Sequence, residues 1–254
     1  MASYLITGCS RGLGLAFCSL LASRPASEVG KIFATSRKES AALKELVDKN
    51  PSKIFSVHLD TLDDASIKAA AKTVEAKLNG GTLDILINNA GLCEPAANAA
   101  AMNNLEKHLS TNVVGVHLVT QAFLSLMQKG GLKKIVNITS TLGSIEMMPH
   151  YASTGLAGYN ISKSALNALT VQYSLDLGKE GFTVIALSPG WLKTDLGGKD
   201  WADLTVEEGA QASLDKITGA GKEQNGQFMN IHIKGWEKPK GGGRNFYDGV
   251  NPSW

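Results

Sequence analysis

The chain has 254 residues, 43% hydrophobic and 19% charged, with 25 Lys and Arg against 23 Asp and Glu for a net charge of +2. This composition supports a core of ordinary size and excludes a disordered chain. Near-neutral charge without a dense Lys/Arg cluster argues against nucleic-acid and membrane-surface partners, so any anion site is local, built from a few groups at one loop.

Cys9, Cys18 and Cys93 form an odd, unclustered set. They fit free thiols in a reducing compartment and lack zinc spacing, so no metal is expected. The chain enters a strand almost at once, with neither a signal-peptide pattern nor a membrane span, which makes the cytosol the expected location.

In chain order, short apolar runs predict strands at Tyr4–Thr7, Lys31–Thr35, Ile54–Leu59, Ile85–Asn88, Lys134–Ile138, Val184–Ser188 and Gln227–Ile231. Helical periodicity fills the intervals at Leu13–Ser23, Glu39–Lys49, Asp63–Leu78, Met102–Lys129, Tyr159–Leu177 and Thr205–Ile217. The middle strands are apolar nearly throughout, as parallel strands covered on both faces are. Strict alternation predicts a single-domain α/β fold, a doubly wound parallel sheet of about seven strands with helices on both faces. Residues 1–234 form the domain, and the Gly/Pro/Asn-rich stretch 235–254 is a surface tail of it, with simple disorder as the alternative. Two further irregular stretches, Thr141–Gly158 and Trp191–Leu204, are candidates for functional loops.

After the first strand comes Thr7-Gly8-Cys9-Ser10-Arg11-Gly12-Leu13-Gly14. Glycines between a strand and a helix permit a tight turn whose N–H groups approach a pyrophosphate, while the helix points its positive end at the anion. Gly8, Ser10, Arg11, Gly12, Leu13 and Gly14 are therefore the candidate contacts of a Rossmann-type dinucleotide site. The second strand ends at Ser36-Arg37, where enzymes preferring NAD usually carry an acid. Ser36, Arg37 and the nearby Arg11 suit a 2′-phosphate, so NADP(H) is the expected cofactor. The alternative is that Arg37 and Lys38 are solvated surface charges.

Tyr159 and Lys163 stand four apart at a helix start, on one face. An ammonium beside a phenol favours the phenolate and brings its pKa down from about 10 into useful range. Ser140 directly follows the buried strand Ile135–Thr139, at the carboxyl edge where open parallel sheets bind ligands. Ser144 lies in the same window and is the second candidate.

Thr-Gly-x-x-x-Gly-x-Gly, Asn88-Asn89-Ala90-Gly91, Ser140, Tyr-x-x-x-Lys and Pro189-Gly190 together resemble the short-chain dehydrogenase/reductase family from Ser3 to about Ile231. The resemblance implies that Tyr159 is the acid protonating a carbonyl oxygen and that Lys163 lowers its pKa and holds the ribose hydroxyls. It likewise implies that Ser140 polarises the carbonyl and that the Asn112 backbone holds a relay water. Asp60 would contact the adenine, Asn88, Ala90 and Gly91 would border the adenosine ribose, and Pro189, Gly190, Leu192 and Thr194 would cradle the nicotinamide amide. The runs Gly-Cys-Ser-Arg-Gly-Leu-Gly, Ala-Thr-Ser-Arg and Ser188–Gly198 are similar to carbonyl reductases of the Sniffer and C-factor type. The ending, Phe228–Gly249, is similar to fungal polyketide ketoreductases. The Ser140–Tyr159 stretch is longer than in most of the family.

Cys93, Leu142, Tyr151, Trp191, Leu196 and Trp201 are candidate walls of a pocket for a bulky apolar or aromatic ketone or aldehyde. The alternative is that the tryptophans pack their segment onto the domain. Two functional alternatives stay open: an NADP(H)-binding protein with a non-redox role, as cyclase or regulator, and the same enzyme working as an alcohol dehydrogenase. Pairing of two copies through the two long helices, Met102–Lys129 and Tyr159–Leu177, is implied by the family resemblance.

Overall fold

Each apolar run becomes a strand. The structure, a computed structural model, describes residues 1–240 and 243–254, so two glycines of the expected tail lie outside the described residues. Strands β1 Ala2–Ile6, β2 Val29–Ser36, β3 Ile54–His58, β4 Ile85–Asn88, β5 Lys134–Ile138, β6 Thr183–Ser188 and β7 Phe228–Asn230 form one sheet. All six pairings are parallel, in the order β3-β2-β1-β4-β5-β6-β7. The helices are α1 Gly12–Ser23, α2 Ala41–Lys49, α3 Asp64–Leu78, α4 Leu105–Leu109, α5 Gly115–Met127, α6 Ala157–Leu177 and α7 Val206–Gly219. The expected α/β fold is the observed one, a Rossmann-like parallel sheet flanked by helices.

Period-2 alternation divides the core. Ile6, Ile32, Ile87, Val136 and Ile185 face one side and pack with Phe17 and Leu21 of α1 and Leu214 and Ile217 of α7. Leu5, Phe33, Leu86, Ile135 and Val184 face the other, with Ile67 and Val74 of α3 and Val119 and Phe123 of α5. Each such side chain contributes about 2 kcal/mol by leaving water, so strands buried on both faces need helices on both. Lys134 is the charged exception in β5. Burial pushes its pKa down, and its Nζ donates to Ile217 O at 3.0 Å and Thr218 O at 2.9 Å, among the last carbonyls of α7.

The order of connection reverses between β1 and β4, which opens a crevice at their carboxyl ends. Caps direct the chain around it. Ser40 caps α2 by accepting from Leu43 N at 3.1 Å and donates to Ser10 O at 2.5 Å, tying the start of α2 to the glycine loop. Thr205 and Glu208 form a capping box that starts α7.

Two expectations are corrected. The helix expected over Met102–Lys129 starts at Leu105 and passes through a π turn, Ser110–Val114, before α5. The run Leu105–Met127 is long and apolar enough, by length and composition, to cross a membrane. In this fold its Val119, Phe123 and Met127 belong to the core. The stretch 235–254 is also more than a surface tail, because Tyr247 is only 3% exposed and sits among apolar core residues. The Tyr247 backbone is tied on both sides, its N–H donating to Trp236 O at 2.6 Å and its carbonyl accepting from Ile233 N at 2.9 Å.

Candidate active site

The loops after β1 and β4 are lashed together. Thr7 Oγ1 accepts from the N–H groups of Asn89 and Ala90, both at 2.9 Å, and Asn89 Nδ2 donates to Thr7 O at 2.7 Å. The turn needs its glycines. Gly8 has φ +74°, and a Cβ at Gly14 would stand 2.4 Å from Gly8 O. The first N–H groups of a helix have no partner inside it. Among the described residues no side chain caps those of α1, and its first turn carries no acid. This cradle fits the pyrophosphate of a dinucleotide.

Around the cradle, Ser36 is buried at the end of β2 and Arg37 is exposed beside it. Arg11 Nε lies 3.5 Å from Asp195 Oδ2, and Lys199 lies 3.3 Å from the other oxygen of Asp195. A Cβ on Gly12 would stand 3.3 Å from Thr194 Cγ2, so the segment after β6 reaches over the glycine loop. Three expected cofactor contacts have their side chains engaged elsewhere. Asn88 is 2% exposed and donates to Thr120 Oγ1 at 3.0 Å and Asn137 Oδ1 at 2.9 Å inside the core. Leu192 packs onto Gly209 at the start of α7. Asp60 accepts from Leu62 N at 3.0 Å in a local turn.

Beyond the cradle, Ser140 follows β5 and caps a short turn, Thr141–Gly143, by accepting from Leu142 N at 3.2 Å. Gly143 allows that turn to press on α6, since a Cβ there would stand 2.8 Å from Lys163 Cβ. Tyr159 and Lys163, one turn apart on α6, are 8% and 5% exposed. Lys163 Nζ donates to Ile138 O at 2.7 Å and lies 5.6 Å from the centre of the Tyr159 ring. Burial pushes the lysine down to about 8. Burial also pushes the Tyr159 phenol well above its ordinary range, with the thiol of Cys93 adding to the rise and a hydrogen bond with the Ser140 hydroxyl opposing it. In this structure desolvation governs the phenol and sets it above its ordinary value. Ser144 turns away from the phenol, accepting from Met147 N at 3.1 Å and donating to Trp254 O at 3.4 Å.

Asn112 lies in the π turn and is fully buried. Its side chain accepts from Leu92 N at 2.8 Å and donates to Leu92 O and Ser162 Oγ, both at 2.9 Å. Ser162 Oγ donates in turn to Tyr159 O at 2.7 Å. A π turn displaces carbonyls from the regular ladder, a recurrent device at functional sites. Gly91 closes the group, because a Cβ there would stand 3.4 Å from Asn112 Oδ1 and 3.8 Å from Lys163 Nζ.

Of the expected pocket walls, Tyr151 is buried with its hydroxyl 3.4 Å from Thr141 Oγ1, and Cys93 and Leu142 are half-buried. Burial pushes the Cys93 thiol up to about 11, offset in part by the Lys163 charge. Trp191 donates from Nε1 to Gly197 O at 2.6 Å and is 42% exposed, and Leu196 is 49% exposed. Trp201, 84% exposed, forms no wall in this conformation. Sequence reasoning passed over His108, which is fully buried and meets the Tyr159 ring edge-on at 6.5 Å. Its Nε2 accepts from Glu94 N at 3.0 Å and its Nδ1 pairs with Asn104 O at 2.8 Å, so the ring is held in place against the phenol. Its spacing of four from Asn112 on one predicted helix was the available signal. Among the described residues no group of three or more His, Cys, Asp or Glu is placed to hold a metal.

Comparison with known proteins gives this geometry its context. The family described as short chain dehydrogenase matches residues 3–205. The chain is 34% identical to a short-chain dehydrogenase, anuI, of Penicillium roqueforti, over 89% of this chain and 92% of that protein. Among solved structures it is similar to an NADPH-bound carbonyl reductase from chicken fatty liver, with TM-score 0.81 and 34% identity over 89% of this chain and 95% of that one. It is also similar to the carbonyl reductase Sniffer of D. melanogaster, with TM-score 0.86 and 31% identity over the full length of both.

Proposed function

The chain belongs to the short-chain dehydrogenase family, and from that premise we propose that it is an NADPH-dependent reductase of bulky apolar or aromatic ketones or aldehydes. The observation that carries this reading is the buried meeting of Tyr159, Lys163 and Ser140 at the carboxyl edge of β5, beside the crevice between β1 and β4.

In this reading the N–H groups of Gly12, Leu13 and Gly14 would hold the pyrophosphate, Ser36, Arg37 and Arg11 the 2′-phosphate, and Lys163 the ribose hydroxyls. The similarity to an NADPH-bound carbonyl reductase supports that choice of cofactor. The reduced nicotinamide, when bound, supplies a hydride to the carbonyl carbon. Tyr159 gives its proton to the carbonyl oxygen; burial keeps that proton on the phenol at neutral pH until the developing alkoxide takes it. Ser140 donates to the same oxygen, a preorganised donor where negative charge grows. Lys163, at about 8, still carries its proton at neutral pH and stabilises the phenolate left behind. The Asn112 backbone in the π turn holds the water from which Tyr159 is reprotonated.

Cys93, Leu142 and Tyr151 supply the apolar wall, with few charges to hold an anionic substrate. Three free thiols suit a cytosolic setting. Exposed Val114, Ile161 and Leu175 on the long helices are the surface through which two copies would pair. The test is the loss of NADPH absorbance with a panel of carbonyls: turnover of aromatic ketones above small aliphatic ones supports the reading, and tight binding without oxidation by any carbonyl overturns it.

A further inference from the structure

The last segment of the chain reaches both loops that flank the cleft. On the β6 side, the Tyr247 hydroxyl donates to Asp203 Oδ2 at 2.6 Å and accepts from Trp191 N at 3.1 Å. The ring itself lies on the turn, since a Cβ at Gly190 would stand 3.2 Å from Tyr247 Cε1. Asn245 Nδ2 donates to the same oxygen of Asp203 at 2.8 Å. On the opposite side, Arg244 Nη1 donates to His150 O at 2.8 Å and Ser153 Oγ at 3.1 Å, in the loop that carries Tyr151. Five hydrogen bonds made by Arg244, Asn245 and Tyr247 thus join the two segments across the cleft.

We propose that Arg244–Tyr247 is a strut across the substrate cleft, and that Tyr247 is a positioning residue for the turn Pro189–Thr194. The catalytic consequence rests on the reductase reading; the mechanical one does not. The turn is held from one side by Leu204, whose N–H donates to Trp191 O at 3.1 Å and whose carbonyl accepts from Lys193 N at 2.9 Å, while Gly190 at φ +85° and the partly solvent-facing Trp191 leave Tyr247 as its support from the chain's end. A buried hydroxyl that donates and accepts at once fixes that turn in two directions, and its removal takes the partner from the Trp191 N–H and leaves Asp203 Oδ2 with Asn245 alone. The strut also keeps the Tyr151 wall at a set distance from the turn, which makes it a determinant of how large a carbonyl the cleft admits.

Tyr247→Phe keeps the ring and deletes only the hydroxyl. In the full-length protein, amide hydrogen exchange of peptides covering 189–194 is expected to quicken about tenfold, with glycine-loop peptides unchanged. Steady-state reduction of an aromatic ketone by NADPH is expected to lose about tenfold in kcat, with KM for NADPH within about twofold, because the pyrophosphate is held by the glycine loop, which Tyr247 does not anchor. Unchanged exchange at 189–194 overturns the strut, as does faster exchange across the whole chain with a matching fall in Tm. Unchanged kcat alongside faster local exchange overturns the positioning role. If the wild type reduces no carbonyl, the reductase reading fails and the exchange result alone decides the strut. Should the phenylalanine variant not fold, Asp203→Asn carries the same measurements, with the same expected directions.

Discussion

Lys163 holds its ammonium 2.7 Å from the Ile138 carbonyl and 5.6 Å from the centre of the Tyr159 ring, so the last turn of a strand positions the charge beneath the phenol. Desolvation is the cost of that position, and it sets a pH dependence. With a folded value of about 8 against 10.5 when unfolded, the folded protein gives up the lysine proton first. Between those values the unfolded chain binds more protons, so stability from this group rises with pH from about 8 to 10.5. Lys163→Met removes the effect. The stability of wild type relative to the variant is expected to improve across that window by at most about 3 kcal/mol, read from urea unfolding at each pH. A difference that stays flat with pH contradicts the account.

Asp195 meets Arg11 in an exposed pair that contributes under about 1 kcal/mol to stability. That guanidinium is one of the two proposed to meet a 2′-phosphate, so the carboxylate competes with the cofactor. Asp195→Asn is expected to leave Tm unchanged and to tighten NADPH severalfold, with NADH unaffected, by fluorescence titration. Weaker NADPH binding in the variant would show that the pair latches the loop over the cofactor rather than competing for it.

Gly14 has no room for a methyl group, with Gly8 O at 2.4 Å and Asn89 Nδ2 at 2.7 Å from its Cβ position. Gly14→Ala is expected to cost about 1–3 kcal/mol by overpacking and to weaken both NADPH and NADH, because the whole cradle must shift. Selective loss of NADPH alone would place the glycine at the 2′-phosphate and not at the pyrophosphate.

The two serines after β5 separate cleanly. Ser140→Ala is expected to lower kcat by about 10²–10³ through loss of a donor to the developing alkoxide. Ser144 is engaged with Met147 N and Trp254 O, and Ser144→Ala is expected to leave kcat within about twofold. The reverse ranking contradicts the assignment.

The fold was legible because the strands are apolar on both faces and the helices are not. β4 and β5 begin and end where the runs Ile85–Asn88 and Lys134–Ile138 do. The glycine loop, Ser140, Tyr159 and Lys163 were legible because spacing and strand context constrain them jointly. What was not legible depends on tertiary burial. No pattern in the sequence reports that Asn88 turns into the core or that Leu192 packs on Gly209. None reports that burial pushes the Tyr159 phenol up. The end of the chain misled for the same reason: Gly, Pro and Asn mark irregular backbone, yet Tyr247 within it is buried by contacts with residues far away in sequence.

The most direct test of the central claim is single-turnover reduction by Tyr159→Phe, measured beside NADPH affinity. The account predicts that NADPH binds within about twofold of wild type while hydride transfer to the carbonyl falls by about 10³ or more. Wild-type turnover by that variant would contradict it.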